Sequence, residues 1–144
     1  MTAVIEFVHD DGGRAAAGFK GETRDCAARA VAIALEIPYR EAYDGINAVA
    51  ERERRLGRKP SNARTGVFRV TLDRFLLPLG WVWTPTMQIG QGTTVHLRAD
   101  ELPDGRIIAR CSRHFAAVID GVLHDTHDTS RGGSRAVYGY WSAR

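Results

Sequence analysis

Residues 114–126 have the sequence HFAAVIDGVLHDT, in which two apolar runs flank the dipeptide Asp120-Gly121. An Asp-Gly pair between apolar runs is a strong hairpin signal, because both residues accept the positive φ angles of a tight two-residue turn. The stretch therefore predicts an antiparallel β-hairpin with strands over His114–Ile119 and Val122–Thr126.

The spacing of this hairpin places two polar residues together. A two-residue turn pairs Ile119 with Val122, and the same register brings Ala116 opposite Asp125. Opposed residues share a face of a sheet, and side chains alternate with a period of two. His114 and Asp125 are therefore expected on one face of the hairpin, as diagonal neighbours.

The surrounding chain has strand-like and helix-like segments in an order typical of the α+β class. Further strands are predicted at Thr2–His9, Trp81–Trp83, Arg106–Cys111 and Ala136–Trp141, and one helical turn at Arg98–Leu102. Helices are predicted at Cys26–Leu35, Tyr39–Leu56 and from Thr65 or Gly66 to Leu79. We expect these N-terminal helices to pack on a C-terminal antiparallel sheet.

Cys26 stands at the predicted start of the first helix, where Asp25 is expected to cap the free N–H groups with its carboxylate. The N-terminus of a helix stabilises an anion, so it lowers the pKa of a thiol placed there. The same N–H groups can bind the oxyanion that forms when an acyl carbon becomes tetrahedral. The structural alternative is that Cys26 is one more small apolar residue on an alanine-rich helix, buried and inert.

A nucleophilic thiol also needs a base and a group that orients the base. His114 with Asp125 satisfies this need, since a carboxylate beside a histidine fixes the imidazole tautomer and holds the ring toward the thiol. Taken singly, His114 also fits a strand-end surface histidine and Asp125 a turn residue. Their shared face favours the functional interpretation.

Three short motifs resemble papain-like cysteine peptidases, most closely the small bacterial and phage-encoded proteins of the bacteriocin-peptidase-like branch. They are DCAARA at 25–30, HFAAVIDG at 114–121 and HDT at 124–126, and the ending VYGYW at 137–141 is similar as well. The resemblance spans residues about 22 to 141 in outline and implies one papain-like domain over residues 1–144. It assigns Cys26 as nucleophile, His114 as general base and acid, and Asp125 as the orienting group.

The resemblance also implies an activity, the hydrolysis of a peptide or isopeptide bond in a protein or peptide, with no metal or organic cofactor. One position departs from the family, because a glutamine usually stands five or six residues before the cysteine and here Gly21 and Lys20 occupy those positions. Losing one oxyanion donor costs about 10²–10³ in rate. The remaining candidate donors are the backbone N–H of Cys26 with Thr23 and Lys20, and beyond these Arg24, Gln88 and Gln91. The alternative function is a weak or inactive binding module of the same fold, encoded by a phage.

The composition limits the class of protein and its location. The chain has 144 residues, 44% of them hydrophobic, with a formal net charge of +3, which suits one globular domain. Two cysteines are too few for a disulfide scaffold, so we expect a reducing, cytoplasmic location in a bacterial or phage-infected cell. No apolar run approaches the ~20 residues of a membrane span, and residues 1–14 lack the basic leader of a secretory signal.

The residue types also permit two other chemistries, zinc binding and nucleic-acid binding. Zinc is bound by side chains of the types found at Cys26, Cys111, His114 and Asp125. However, the sequence has no C-x-x-C pair, and an unbroken strand would place Cys111 and His114 on opposite faces. The segment Arg52–Arg64 is rich in arginine, but no aromatic residue lies among these arginines to stack on bases, which disfavours nucleic-acid binding. The sequence does not determine the oligomeric state.

Overall fold

The computed structural model describes residues 4–58, 60–88 and 90–144, and its architecture is α+β, as expected. The helices are α1 (Cys26–Leu35), α2 (Tyr39–Arg55) and α3 (Arg69–Leu76), with 3₁₀ turns at Leu77–Leu79 and Arg131–Gly133. The strands are β1 (Glu6–His9), β2 (Trp81–Pro85), β3 (Met87–Gln88), β4 (Gly92–Thr93), β5 (Arg106–Cys111), β6 (His114–Ile119), β7 (Val122–Asp125) and β8 (Gly139–Ala143).

Across the described part of the chain, six strands form the main sheet in the order β1-β7-β6-β5-β8-β2. The strands of the C-terminal third pair antiparallel with one another, and so does β2 with β8. The N-terminal strand β1 departs from the expected all-antiparallel sheet, because it pairs parallel with β7. The sheet is therefore mixed at that edge, and β1 covers the strand that carries Asp125.

The β6–β7 hairpin has the predicted register. Ile119 pairs with Val122 and Val118 with Leu123. Asp120 and Gly121 have φ angles of 48° and 74°, the left-handed values of a type I′ turn. The sequence HFAAVIDGVLHDT therefore folds as the Asp-Gly pair predicts.

Apolar side chains cover both faces of the sheet. On one face, α1 packs on β6 through buried residues such as Ala27, Ala30 and Val31, and α2 and α3 complete this core. On the other face, a second core includes Leu97, Leu102, Ile107, Val118 and Leu123. Because the alanines of α1 are small, the helix can lie close to β6, and its N-terminus is held near the start of that strand.

Several element boundaries differ from the sequence prediction. The third helix begins at Arg69 rather than at Thr65 or Gly66, because Gly66 forms an antiparallel bridge with Asn62 and the Phe68 N–H donates to the Ser61 hydroxyl at 3.0 Å. The segment Arg98–Leu102 forms a hydrogen-bonded turn and no helix.

The last strand is displaced as well. It covers Gly139–Ala143 instead of Ala136–Trp141, since Ala136 is engaged in an isolated bridge with His96. Helix α2 ends at Arg55, one residue before the predicted end at Leu56. Residues 2 and 3 of the predicted first strand lie outside the described residues.

A buried acid fixes α3 against α2. Glu53 is 3% exposed and accepts hydrogen bonds from the Thr71 hydroxyl, at 2.6 Å, and from Arg74. The Thr71 hydroxyl also shares a hydrogen bond of 2.7 Å with Ser61. This network anchors the start of the 61–68 loop, which forms one wall of the cleft described below.

Gly139 offers a direct test of the packing between β2 and β8. A Cβ atom added there would lie 2.3 Å from the Trp83 indole and 2.8 Å from the Thr84 carbonyl oxygen. We therefore expect Gly139→Ala to lower the free energy of unfolding by about 1–3 kcal/mol, the usual cost of overpacking. Urea denaturation measures the change, and Ser142→Ala on the same strand is the control. An unfolding free energy equal to wild type would contradict the packing described here.

Candidate active site

Cys26 is the first residue of α1, and its side chain is half-buried. The expectation that the Asp25 carboxylate caps this helix is wrong, because that side chain makes no capping hydrogen bond. Asp25 is fully buried, accepts a hydrogen bond of 2.5 Å from the Tyr39 hydroxyl and pairs with Arg29 and Arg14. Buried charge is stabilised best by charged and hydroxyl partners, so the carboxylate turns to these groups and leaves the first-turn N–H groups without a side-chain cap.

His114 begins β6 and joins Cys26 to Asp125. Its Nε2 atom lies 2.6 Å from an Asp125 carboxylate oxygen, as the predicted shared face requires. The Cys26 thiol lies close enough to the same imidazole for His114 to lower the pKa of the thiol. Because Nε2 is engaged by Asp125, Nδ1 is the ring nitrogen left for the thiol. His114 thus stands between the Cys26 thiol and the Asp125 carboxylate, and a hydrogen bond joins it to the carboxylate.

Asp125 is held from several sides. Its Oδ1 accepts a hydrogen bond of 2.8 Å from the Thr126 N–H, and its Oδ2 accepts one of 3.0 Å from the Thr129 hydroxyl. The Arg29 guanidinium approaches the same carboxylate at 3.5 Å. A carboxylate with this many donors keeps one orientation, so it can fix the position of the imidazole.

Sequence reasoning missed two of these supports. Arg29 follows Cys26 by three residues, and side chains with that spacing share a helix face, so the pattern could have indicated it. Thr129 lies in the loop after β7, where no periodic pattern points to its position.

The pKa values are shifted in the directions that separate charge between thiol and imidazole. For Cys26, burial raises the pKa, but the hydrogen bond and the charge of His114 oppose it and leave the pKa below that of an ordinary cysteine. For His114, burial lowers the pKa, yet hydrogen bonds with Asp125 and Cys26 raise it to about 9. For Asp125, burial raises the pKa, and the His114 interaction brings it below the ordinary value. The site therefore favours a thiolate beside an imidazolium.

Cys111 has a different environment. It directly opposes His114 across the turn at residues 112–113, so the expectation of opposite faces is wrong, because the strand is broken by that turn. Cys111 is fully buried, and burial raises the pKa of its thiol to about 11. Considering only the described residues, no group of three or more His, Cys, Asp or Glu side chains is arranged to hold a metal ion.

Cys26 opens into a cleft of about 430 Å³, to which we refer as the Cys26 cleft. Its lining residues are Arg24, Cys26, Pro60, Thr65, Gly66, Val67, Phe68, Arg110, Arg113 and Phe115. The thiol therefore faces a space large enough for part of a peptide, with apolar walls and a cationic rim.

The candidate oxyanion donors differ in how close they lie to the Cys26 cleft. Arg24 lines the Cys26 cleft, while the Thr23 hydroxyl donates to the Arg64 carbonyl oxygen at 3.1 Å. The Lys20 carbonyl accepts a hydrogen bond from the Arg64 guanidinium, and Lys20 does not line this cleft. Gln88 and Gln91 line a separate depression beside β3 and β4. The backbone N–H of Cys26 and the Arg24 side chain therefore have the most direct positions.

Three arginines of the basic segment Arg52–Arg64 have partners within the protein. Arg54 and Arg55 lie 2.5 and 3.7 Å from the Glu51 carboxylate. Arg64 donates to the backbone of Lys20 at 2.7 Å. This arrangement is that of a helix end paired with its own acids.

Comparison with protein-family models, with curated proteins and with solved structures finds no match for this chain. Over the residues that the structure describes, no helix has both the length and the apolar character needed to cross a lipid bilayer. The fold and the site thus define an α+β protein with a Cys-His-Asp constellation, and the papain-like resemblance stays a prediction that rests on the residues themselves.

The raised pKa of His114 can be measured directly. We expect the imidazole to titrate near pH 9 in wild-type protein, followed by NMR of its ring carbon. In Asp125→Asn the carboxylate of Asp125 no longer raises this pKa, while Cys26 continues to raise it and burial continues to lower it. The pKa of His114 should then fall below its wild-type value of about 9. The surface variant Asp104→Asn is the matched control. A His114 pKa that is unchanged in Asp125→Asn would contradict this assignment.

Proposed function

We propose that this protein is a papain-like cysteine hydrolase that cleaves a peptide or isopeptide bond through Cys26, His114 and Asp125. The observation that supports the proposal is the His114–Asp125 hydrogen bond beside Cys26, whose side chain lines a cleft. A nucleophile, a base and an orienting carboxylate in contact are the parts that acyl transfer needs.

In the proposed reaction the Cys26 thiolate attacks the carbonyl carbon and forms the C–S bond of a tetrahedral oxyanion. The His114 imidazolium gives its proton to the leaving amine as the C–N bond breaks, and a thioester remains on Cys26. Neutral His114 then takes a proton from water, the resulting hydroxide equivalent attacks the thioester, and the C–S bond breaks to release the acid. Asp125 keeps the ring oriented throughout, and no metal or organic cofactor takes part.

The first turn of α1 supplies the proposed oxyanion donors. Its N–H groups carry no side-chain cap, since Asp25 is turned into the core. Unpaired N–H groups at a helix N-terminus stabilise a developing negative charge. This arrangement would compensate in part for Gly21 and Lys20, which stand where a glutamine is usual.

The chain has two free cysteines, which suits a reducing compartment, and we propose a cytoplasmic location in a bacterial or phage-infected cell. A second candidate function, a binding module that keeps the fold without turnover, is favoured by the missing glutamine. The two functions differ in whether Cys26 forms an acyl intermediate.

The first test is acylation by an activated ester. We expect p-nitrophenyl acetate to give a burst of one acetyl group per protein, located on Cys26 by mass spectrometry, followed by slow turnover. Cys26→Ala should abolish the burst, and His114→Ala should slow it by about 10²–10⁴, the usual contribution of general acid–base catalysis. Cys111→Ala is the control and should react like wild type. Absence of any acetylation at Cys26 would support the binding module instead.

The pH dependence of acylation by an amide, such as an acyl p-nitroanilide, gives a second test. The thiolate–imidazolium pair exists above the lowered pKa of Cys26 and below the pKa of His114, which is about 9. We expect the rate of acylation by the amide to be bell-shaped, because acid protonates the thiolate and alkali removes the His114 proton that the leaving amine needs; both limbs belong to the coupled pair. In Asp125→Asn the alkaline limb should move to lower pH. A wild-type rate that only rises through pH 9, as for an ordinary thiol, would contradict the ion pair.

A further inference from the structure

The rim of the Cys26 cleft is cationic. Three of its lining residues are arginines (Arg24, Arg110 and Arg113), and none of the lining residues is an acid. Among the described residues, no carboxylate lies within ion-pair distance of these guanidiniums, although other arginines of the chain have such partners. The cleft therefore holds positive charge that the protein does not neutralise.

Arg110 is the most fixed of the three. Its guanidinium lies over the Phe115 ring, 4.7 Å from the centroid, and β5 pairs directly with β6 at these two residues. The side chain is half-buried, and it is close enough to Cys26 for the two to interact electrostatically. A cation held by an aromatic ring beside the nucleophile keeps its position without a partner acid.

The other two arginines flank the nucleophile along the chain. Arg24 precedes Cys26 by two residues, and Arg113 directly precedes His114. Both side chains are exposed at the cleft, so they can meet a ligand at small cost. Pro60, Val67 and Phe115 supply apolar surface between them.

We propose that the Cys26 cleft selects a substrate with a carboxylate beside the scissile amide, such as a peptide with an acidic residue next to the cleaved bond. Arginine binds carboxylates through paired N–H donors, and the apolar walls accommodate the carbon chain of the acidic residue. This inference rests on the proposed function and narrows its substrate class. Arg24, Arg110 and Arg113 act in it as specificity-determining residues.

The test compares two alkylating agents of nearly equal size. Iodoacetate carries a carboxylate and iodoacetamide is neutral, so the ratio of their rates at Cys26 reports the charge of the cleft. The His114 imidazolium also attracts iodoacetate, and the decisive comparison is therefore between wild type and variants. We expect Arg24→Gln, Arg110→Gln and Arg113→Gln each to lower the ratio by about two- to fivefold, the size of one partly exposed ion pair.

Three controls make the comparison specific. Arg52→Gln removes the same charge from the exposed face of α2 and should leave the ratio unchanged. Arg110→Lys keeps the charge and should retain most of the ratio. Added salt should reduce the wild-type preference, as screening requires.

The outcomes separate this inference from the proposed function. Rapid reaction with iodoacetamide near neutral pH, with a ratio that none of the three arginine variants lowers, would overturn the carboxylate site and leave the hydrolase standing. A Cys26 that reacts with neither reagent would overturn the hydrolase itself. Protection of Cys26 from iodoacetamide by short single-stranded DNA would assign the cleft to phosphates and also overturn the proposal. Both alkylation rates are measured on each variant. A variant that fails to fold changes the rates of iodoacetate and iodoacetamide together, which distinguishes unfolding from a change in their ratio.

Discussion

The hydrogen bond between Asp125 and His114 is the interaction on which the site depends. At 2.6 Å, it joins adjacent strands of the hairpin and sets which ring nitrogen is free for Cys26. Without it the buried imidazole would lose its proton at lower pH, and the thiol would lose its charged partner. The Asp120-Gly121 turn fixes the register that makes this contact, so a local turn preference determines the geometry of the whole constellation.

A second set of charges connects the helix to the sheet. Arg29 lies between Asp25, at the start of α1, and Asp125, at the end of β7. Removing one member would leave a buried charge without its partner, which is costly in a protein interior. The orientation of α1, and with it the position of the Cys26 sulfur, is thereby coupled to the carboxylate that orients His114. Burial of the alanine face of α1 on β6 supplies the apolar part of the same attachment.

Features that depend on residues close together in the sequence were predictable, and contacts between distant segments of the chain were not. The hairpin register and the His114–Asp125 neighbours follow from turn chemistry and strand period alone. The capping role expected of Asp25 was wrong, because Tyr39, Arg29 and Arg14 bring the carboxylate inward, and only the tertiary structure shows these partners. The start of α3 was misplaced for a similar reason, since Asn62 and Ser61 bond to Gly66 and Phe68 and delay the helix. The parallel pairing of β1 and the cationic cleft also depend on contacts between distant segments.

The most direct test of the central claim is the ultraviolet absorbance of the Cys26 thiolate as a function of pH, taken as the difference between wild-type protein and Cys26→Ser. We expect a thiolate that forms below pH ~8.5, the usual value for a free cysteine, and that shifts to higher pH in His114→Ala. Cys111 contributes equally to both proteins and cancels in the difference. A thiolate that forms only at or above the ordinary cysteine value, with no change in His114→Ala, would contradict the ion pair.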